Sequence, residues 1–262
     1  MRKILALAVT AALTVGLVAS MAGSASAGEE TQSEVFKISP TKLDKKKPQN
    51  IQLINTITTP DDPSLGQPPS ASRTVVDWPK QFKFNTTKVP YCKTDAAGLG
   101  AAATVEDAKA ACGPKSVVSS DAGSSAVVRT TLPAPFDVID VSVVAFNESG
   151  KQLYLYSLPQ GQAAATGASI LVGKLLPYGS VKNAPRPKGP FKESLDVSIP
   201  NLAAGAIAFF EVTIPKSKYV QAKCKPTTMK AQATTFFSTG SVPSSTDDHT
   251  VKCKPKKGKK KK

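Results

Sequence analysis

The feature that most restricts what this chain can fold into is a two-residue apolar period, repeated in short runs. Ile51, Leu53, Asn55 and Ile57 form one such run, and Leu195, Val197 and Ile199 form another. Side chains alternate across a strand, so this period specifies strands buried on one face. The stretch 137–146, with Val138, Val141, Val143, Val144 and Phe146, is dense in β-branched residues. Asn147-Glu148-Ser149-Gly150 then reads as a turn. The return run places Leu153 and Leu155 on one face and Tyr154 and Tyr156 on the other, which predicts a hairpin. Further strands are expected at 34–39, 74–78, 81–85, 116–119, 126–131, 169–172, 206–214, 233–238 and 249–253. Pro60, Pro63, Pro68 and Pro69 mark a long loop at 58–72, and the prolines of 183–190 mark another. Many short strands separated by turn signals predict an all-β chain, a β-sandwich of immunoglobulin-like or related type. No internal repeat or linker divides it, so residues 28–251 read as a single domain.

One helix is expected within this pattern. Thr104 caps the run Val105 to Ala111, acidic residues occupy its first turn, and Gly113-Pro114 ends it. It carries Cys112 back toward Cys92, so the segment between the two reads as a clipped excursion.

The N-terminal residues set the compartment in which the cysteines are read. Arg2 and Lys3, the apolar run from Ile4 to Val18, and the exit Ala25-Ser26-Ala27 describe a secretory signal peptide over 1–27. The apolar run is shorter than a membrane-spanning helix, and no later segment approaches that length, so the mature chain is expected to lack a transmembrane segment. In an exported chain four cysteines predict two disulfides. The sequential pairing, Cys92-Cys112 and Cys224-Cys253, closes loops of about 20 and 30 residues, each worth roughly 3 kcal/mol. A zinc site needs close cysteine pairs, and Cys-x-x-Cys does not occur.

The net charge of +15 is concentrated at one end. Lys252, Lys254, Lys256, Lys257, Lys259, Lys260, Lys261 and Lys262 hold eight of the positive charges, and the body is only mildly basic. Residues 252–262 are expected to be a disordered, self-repelling tail. Such a tail attracts anionic cell-wall polymers or an anionic membrane surface through salt-sensitive contacts, with no specific nucleic-acid target.

Catalytic signals are few. His249 is the one histidine, beside Asp247 and Asp248 in what reads as a polar turn before a strand. Adjacent residues of an extended chain point apart, so neither a metal site nor a cofactor is expected. The Gly-x-Ser-x-Gly elbow of serine hydrolases is absent, and Glu106, Asp137, Asp140, Glu193, Asp196 and Glu211 read as solvent-facing. Trp78, beside Pro79 at a strand break, and Tyr154 and Tyr156, on one strand face, are the candidates for stacking on a ligand such as a sugar.

The segments Phe82-Lys83-Phe84-Asn85, Val89-Pro90-Tyr91-Cys92, Ala111-Cys112-Gly113-Pro114 and Ser116-Val117, followed by Lys252-Cys253-Lys254, carry a resemblance. The chain resembles a group of exported actinobacterial β-rich proteins in which paired cysteines flank a short helix and a lysine-rich tail follows the final cysteine. Gly113 stands where that group often has proline after the cysteine. The resemblance implies export and a β-rich fold, and no activity. The expectation is therefore a secreted or cell-envelope-associated, non-enzymatic protein. A carbohydrate-binding module and a secreted hydrolase based on His249 are the alternatives.

Overall fold

The computed structural model describes residues 32–120, 123–181, 189–202 and 205–256. The expected signal peptide at 1–27, residues 183–188 of the second proline-rich loop and the lysines from 257 onward lie outside the described residues. In chain order the strands are β1 (Ser33–Ser39), β2 (Lys42–Leu43), β3 (Gln49–Asn50), β4 (Gln52–Thr58), β5 (Ala71–Pro79), β6 (Phe82–Phe84), β7 (Ser125–Thr130) and β8 (Val138–Glu148). There follow β9 (Gln152–Pro159), β10 (Ser169–Pro177), β11 (Phe191–Ser198), β12 (Gly205–Ile214), β13 (Val220–Ala222), β14 (Thr228–Phe237), β15 (Ser244–Lys252) and β16 (Lys254–Pro255). Helices α1 (Ala96–Gly100) and α2 (Val105–Cys112) stand between β6 and β7.

The all-β expectation holds, and the long strands make one sheet. Eleven of them pair in the order β1-β4-β12-β7-β8-β9-β10-β11-β5-β14-β15. Each neighbouring pair is antiparallel. Strand twist curls this sheet until its two edges, β1 and β15, lie side by side. Ten reversals separate the edges, so β1 and β15 run in the same direction. Inward-facing residues of opposite walls, Leu53 and Leu153 among them, share one packed cluster.

One end of the rolled sheet is plugged. A small sheet, β3-β13-β6, brings Phe82, Phe84 and Val220 against Trp78, Phe36 and Ile51. Trp78 stacks on Phe82 with ring centroids 5.9 Å apart, and Phe36 meets Phe82 edge-on at 6.1 Å. Cys224 and Cys253 form a disulfide within this plug, and β16 pairs with β2 beside it. The second disulfide, Cys92–Cys112, clips the helical excursion. Both helices pack on the outer face of β8, β9 and β10, where Leu99, Ala108 and Cys112 cover Val144, Phe146, Tyr154 and Tyr156.

Several elements depart from the sequence reading. The excursion holds two helices rather than one, because Asp95 caps α1 by accepting from the Gly98 amide (2.8 Å) in addition to the Thr104 cap on α2. Residues 116–119 are no strand. Pro114 opens a 3-10 turn, and the Ser116 hydroxyl donates to the Gly113 carbonyl (2.7 Å), leaving only a bridge from Val117 to Phe146. Asn147 belongs to β8 rather than to the turn. It is buried, and its amide donates to the carbonyls of Thr86 and Val89 (2.8 and 2.9 Å). Asp247, Asp248 and His249 lie in the middle of β15, not in a turn, paired in register with Ala233, Gln232 and Ala231.

Candidate functional site

The interior of the rolled sheet holds a cavity of about 100 Å³. Its walls are apolar and come from many strands, with Leu53, Val76, Leu155, Leu171, Val197 and Val212 among them. Several of these inward-facing side chains do not fill the space before them: Ile57, Phe210 and Val212 are only half-buried. Gly173 is the inward position of β10 that carries no side chain, and a Cβ there would come within 3.1 Å of Leu195. A bulge between Ile207 and Phe209 shifts the alternation of β12, so that Ile207 and Phe210 both line the interior. Through Ala71, Ile199 and Ile207 this cavity adjoins a second one of about 250 Å³, at the end away from the plug.

Asn55, Thr59, Thr74, Thr235 and the Trp78 indole are the polar groups of the lining, and the hydroxyls of Thr74 and Thr235 hydrogen bond to each other (2.9 Å). Glu34 shares the inward face of β1 with Phe36 and is 1 % exposed. Its Oε2 and both side-chain polar atoms of Gln32 are buried without a partner. Burial, and after it the neighbouring Asp247 carboxylate, pushes the Glu34 carboxyl well above its ordinary range.

The meeting of β1 with β15 is made by side chains rather than by a backbone ladder. The amides of Gln32, Glu34 and Phe36 donate to Ser245 Oγ (3.1 Å), Asp247 Oδ2 (2.7 Å) and His249 Nδ1 (3.3 Å). Both series advance by two residues, as parallel neighbours must. Ser245, Asp247 and His249 thus share one face, and each is engaged with a different amide of β1. The His249 ring also meets Phe36 edge-on at 5.5 Å.

The residues expected to stack on a ligand are core residues. Trp78 is 3 % exposed and forms part of the plug. Tyr154 and Tyr156 lie under the helices, and the Tyr156 hydroxyl donates to the carbonyl of Ala102 (2.9 Å). This corrects the sequence reading: an apolar excursion covers the strand face that alternation alone leaves outward.

The lysines are placed differently from expectation as well. Lys252 ends β15 and Lys254 begins β16, so both belong to ordered strands rather than to a disordered tail. Lys254 pairs with Lys42, the Cys224 amide donates to Asp44 O, and the Lys256 amide donates to Leu43 O. These bonds bring 223–225 and 252–256 beside the loop holding Lys45, Lys46 and Lys47, which folds around Asp44. Amide hydrogen bonds from Lys47 and Lys46 lower the Asp44 carboxyl, and the charges of Lys47 and Lys256 add to this. The plugged end is therefore a convergence of exposed lysines from three distant stretches.

Among the described residues no group of three or more His, Cys, Asp or Glu converges as metal ligands would, and no helix is long and apolar enough to cross a membrane. Compared with known proteins, the chain matches no family model and no curated sequence.

Proposed function

We propose that this is an exported, non-enzymatic protein held at the cell envelope by its cationic end, which binds anionic polymers such as teichoic acids. The observation that carries the reading is the gathering of Lys42, Lys45, Lys46, Lys47, Lys225, Lys254 and Lys256 around the Cys224–Cys253 disulfide, with Asp44 as their acidic neighbour. Two disulfides suit an oxidising compartment. Clustered like charges in water are poorly screened at low salt and attract a polyanion without demanding a sequence. On this reading the folded pole, and not the terminal lysines alone, does the binding. On the same reading the rolled sheet is a closed relative of the expected β-sandwich, since inward residues of distant strands, Leu53 and Leu153 among them, belong to one packed cluster. Neither alternative finds support, since the stacking aromatics are buried and His249 is engaged with a backbone amide.

The test is retention on immobilised teichoic acid in a salt gradient. The triple variant Lys42→Glu, Lys45→Glu, Lys47→Glu, with every residue from 252 to 262 intact, is expected to elute at clearly lower salt than the parent. Elution at unchanged salt would show that the folded pole contributes nothing.

A further inference from the structure

None of the binding just proposed uses the seam between β1 and β15. We propose that His249 is an acid-sensitive latch, which holds β1 to β15 while its ring is neutral and releases β1 when the ring is protonated. The Phe36 amide donates to His249 Nδ1 (3.3 Å), so that nitrogen must carry a lone pair. A neutral imidazole accepts through one nitrogen and donates through the other, whereas the protonated ring has two donors and no acceptor. Protonation therefore turns this contact into a donor facing a donor. Histidine is the side chain that ordinarily makes such a change between about pH 5 and 8. His249 is the one histidine of the chain, and it is half-buried, within reach of solvent protons.

This one contact matters because no backbone ladder joins β1 to β15 among the described residues. The acceptors of the seam are the side chains of Ser245, Asp247 and His249. A serine hydroxyl accepts at every pH, and a carboxyl group keeps acceptor capacity even when protonated, so only the imidazole loses its acceptor on gaining a proton. On its own strand, Asp247 shares the face of His249, while Lys252 and Asp248 point to the opposite face, where Asp248 pairs with Lys230 of β14 (3.0 Å). Strand β14 sets Ala231 against His249 and Ala233 against Asp247. From β1, Glu34 lies on the inward face with Phe36, and Lys37 is on the exposed face. On the plug side the Phe36 ring meets both His249 and Phe82 edge-on, and Lys83 beside Phe82 is exposed. A charged ring is thus offered the Asp247 carboxylate on its own face, and turning to it abandons the Phe36 amide. Release bares that amide at a strand edge, where another chain can pair with it.

Hydrogen exchange of the purified protein, followed by NMR from about pH 8 to about pH 5 and expressed as protection factors, tests the latch, with the His249 ring titrated in the same samples. Protection of the Phe36 amide is expected to fall about tenfold along the imidazole titration, the worth of roughly one hydrogen bond. The amides of β8 and β9 are expected to keep theirs. His249→Gln offers a carbonyl acceptor that does not titrate, and it is expected to hold Phe36 protection constant over the same range. His249→Asn serves the same purpose if circular dichroism shows that the glutamine variant does not fold. Glu34 acts on stability in the opposite sense, favouring the fold as pH falls, and parent and variants share it. The proposal is overturned if the parent keeps Phe36 protection through the titration or if the folded variant loses it equally. It is also overturned if β8 and β9 lose as much, because that is general unfolding and not release of the seam.

Discussion

Glu34 shows how much one side chain can set against the rest of the fold. Its carboxyl is buried, one oxygen has no partner, and Asp247 and Asp248 oppose its ionisation. The folded protein therefore keeps a proton on Glu34 at pH values where the unfolded chain has released it. Stability associated with this group is full below the ordinary carboxylate range and is lost as pH rises through and above that range. Glu34→Gln carries no such proton. Urea unfolding at pH 4 and pH 7 is expected to show the variant gaining on the parent as pH rises, by up to about 1.4 kcal/mol per pH unit over the range in which only the folded form holds the proton. A difference between the two proteins that did not change with pH would contradict this. The placement was legible in part. Glu34, Phe36 and Ile38 share a parity, so a strand that buries Phe36 buries Glu34 as well. The acid partners were not legible, because they arrive from the far end of the chain.

At the scale of elements, β15 is the instructive strand. Its residues Ser244 to Lys252 are almost wholly polar, so the apolar period that reveals Leu195, Val197 and Ile199 is silent over most of it. It is a strand because β14 pairs with it from Thr228 to Phe236 and because its inward side chains accept from β1. Those acceptors substitute for a ladder at the edge, where bare amides would otherwise be open to other chains. Replacing Asp247 and His249 together by Ala removes the acceptors of two amides. A loss of about 1–3 kcal/mol for each orphaned group is expected. Hydrogen exchange locates the effect: the amides of Glu34 and Phe36 should exchange much faster in the double variant, while those of β8 and β9 should not change. Equal protection of Glu34 and Phe36 in both proteins would show that the side-chain acceptors do not hold the edge. By contrast, β8 and β9 were legible because both their faces are informative, one toward the cavity and one toward the helices.

At the scale of the whole molecule, the two disulfides clip different things. Cys92–Cys112 encloses a separation of 20 residues and holds an outer cover, whereas Cys224–Cys253 encloses 29 and lies within the plug. Loop entropy alone makes them nearly equal, at roughly 3 kcal/mol each. Packing separates them, so Cys224→Ser with Cys253→Ser is expected to cost more than about 3 kcal/mol in urea unfolding, and Cys92→Ser with Cys112→Ser close to that value. The reverse order would mean that the helical cover, not the plug, supports the sheet. Pairing of the cysteines followed from their spacing, but the rolling of the sheet did not, since strand order is decided by contacts between distant stretches. That rolling has a temporal consequence. The first strand of the sheet finds its second neighbour only in the last, so a chain synthesised or threaded from its N terminus must carry one bare edge on β1 until β15 emerges. Completion of the circuit is an all-or-none event that waits for nearly the whole polypeptide, and any product truncated before Ser244 is left with an adhesive margin that invites either rapid degradation or aggregation.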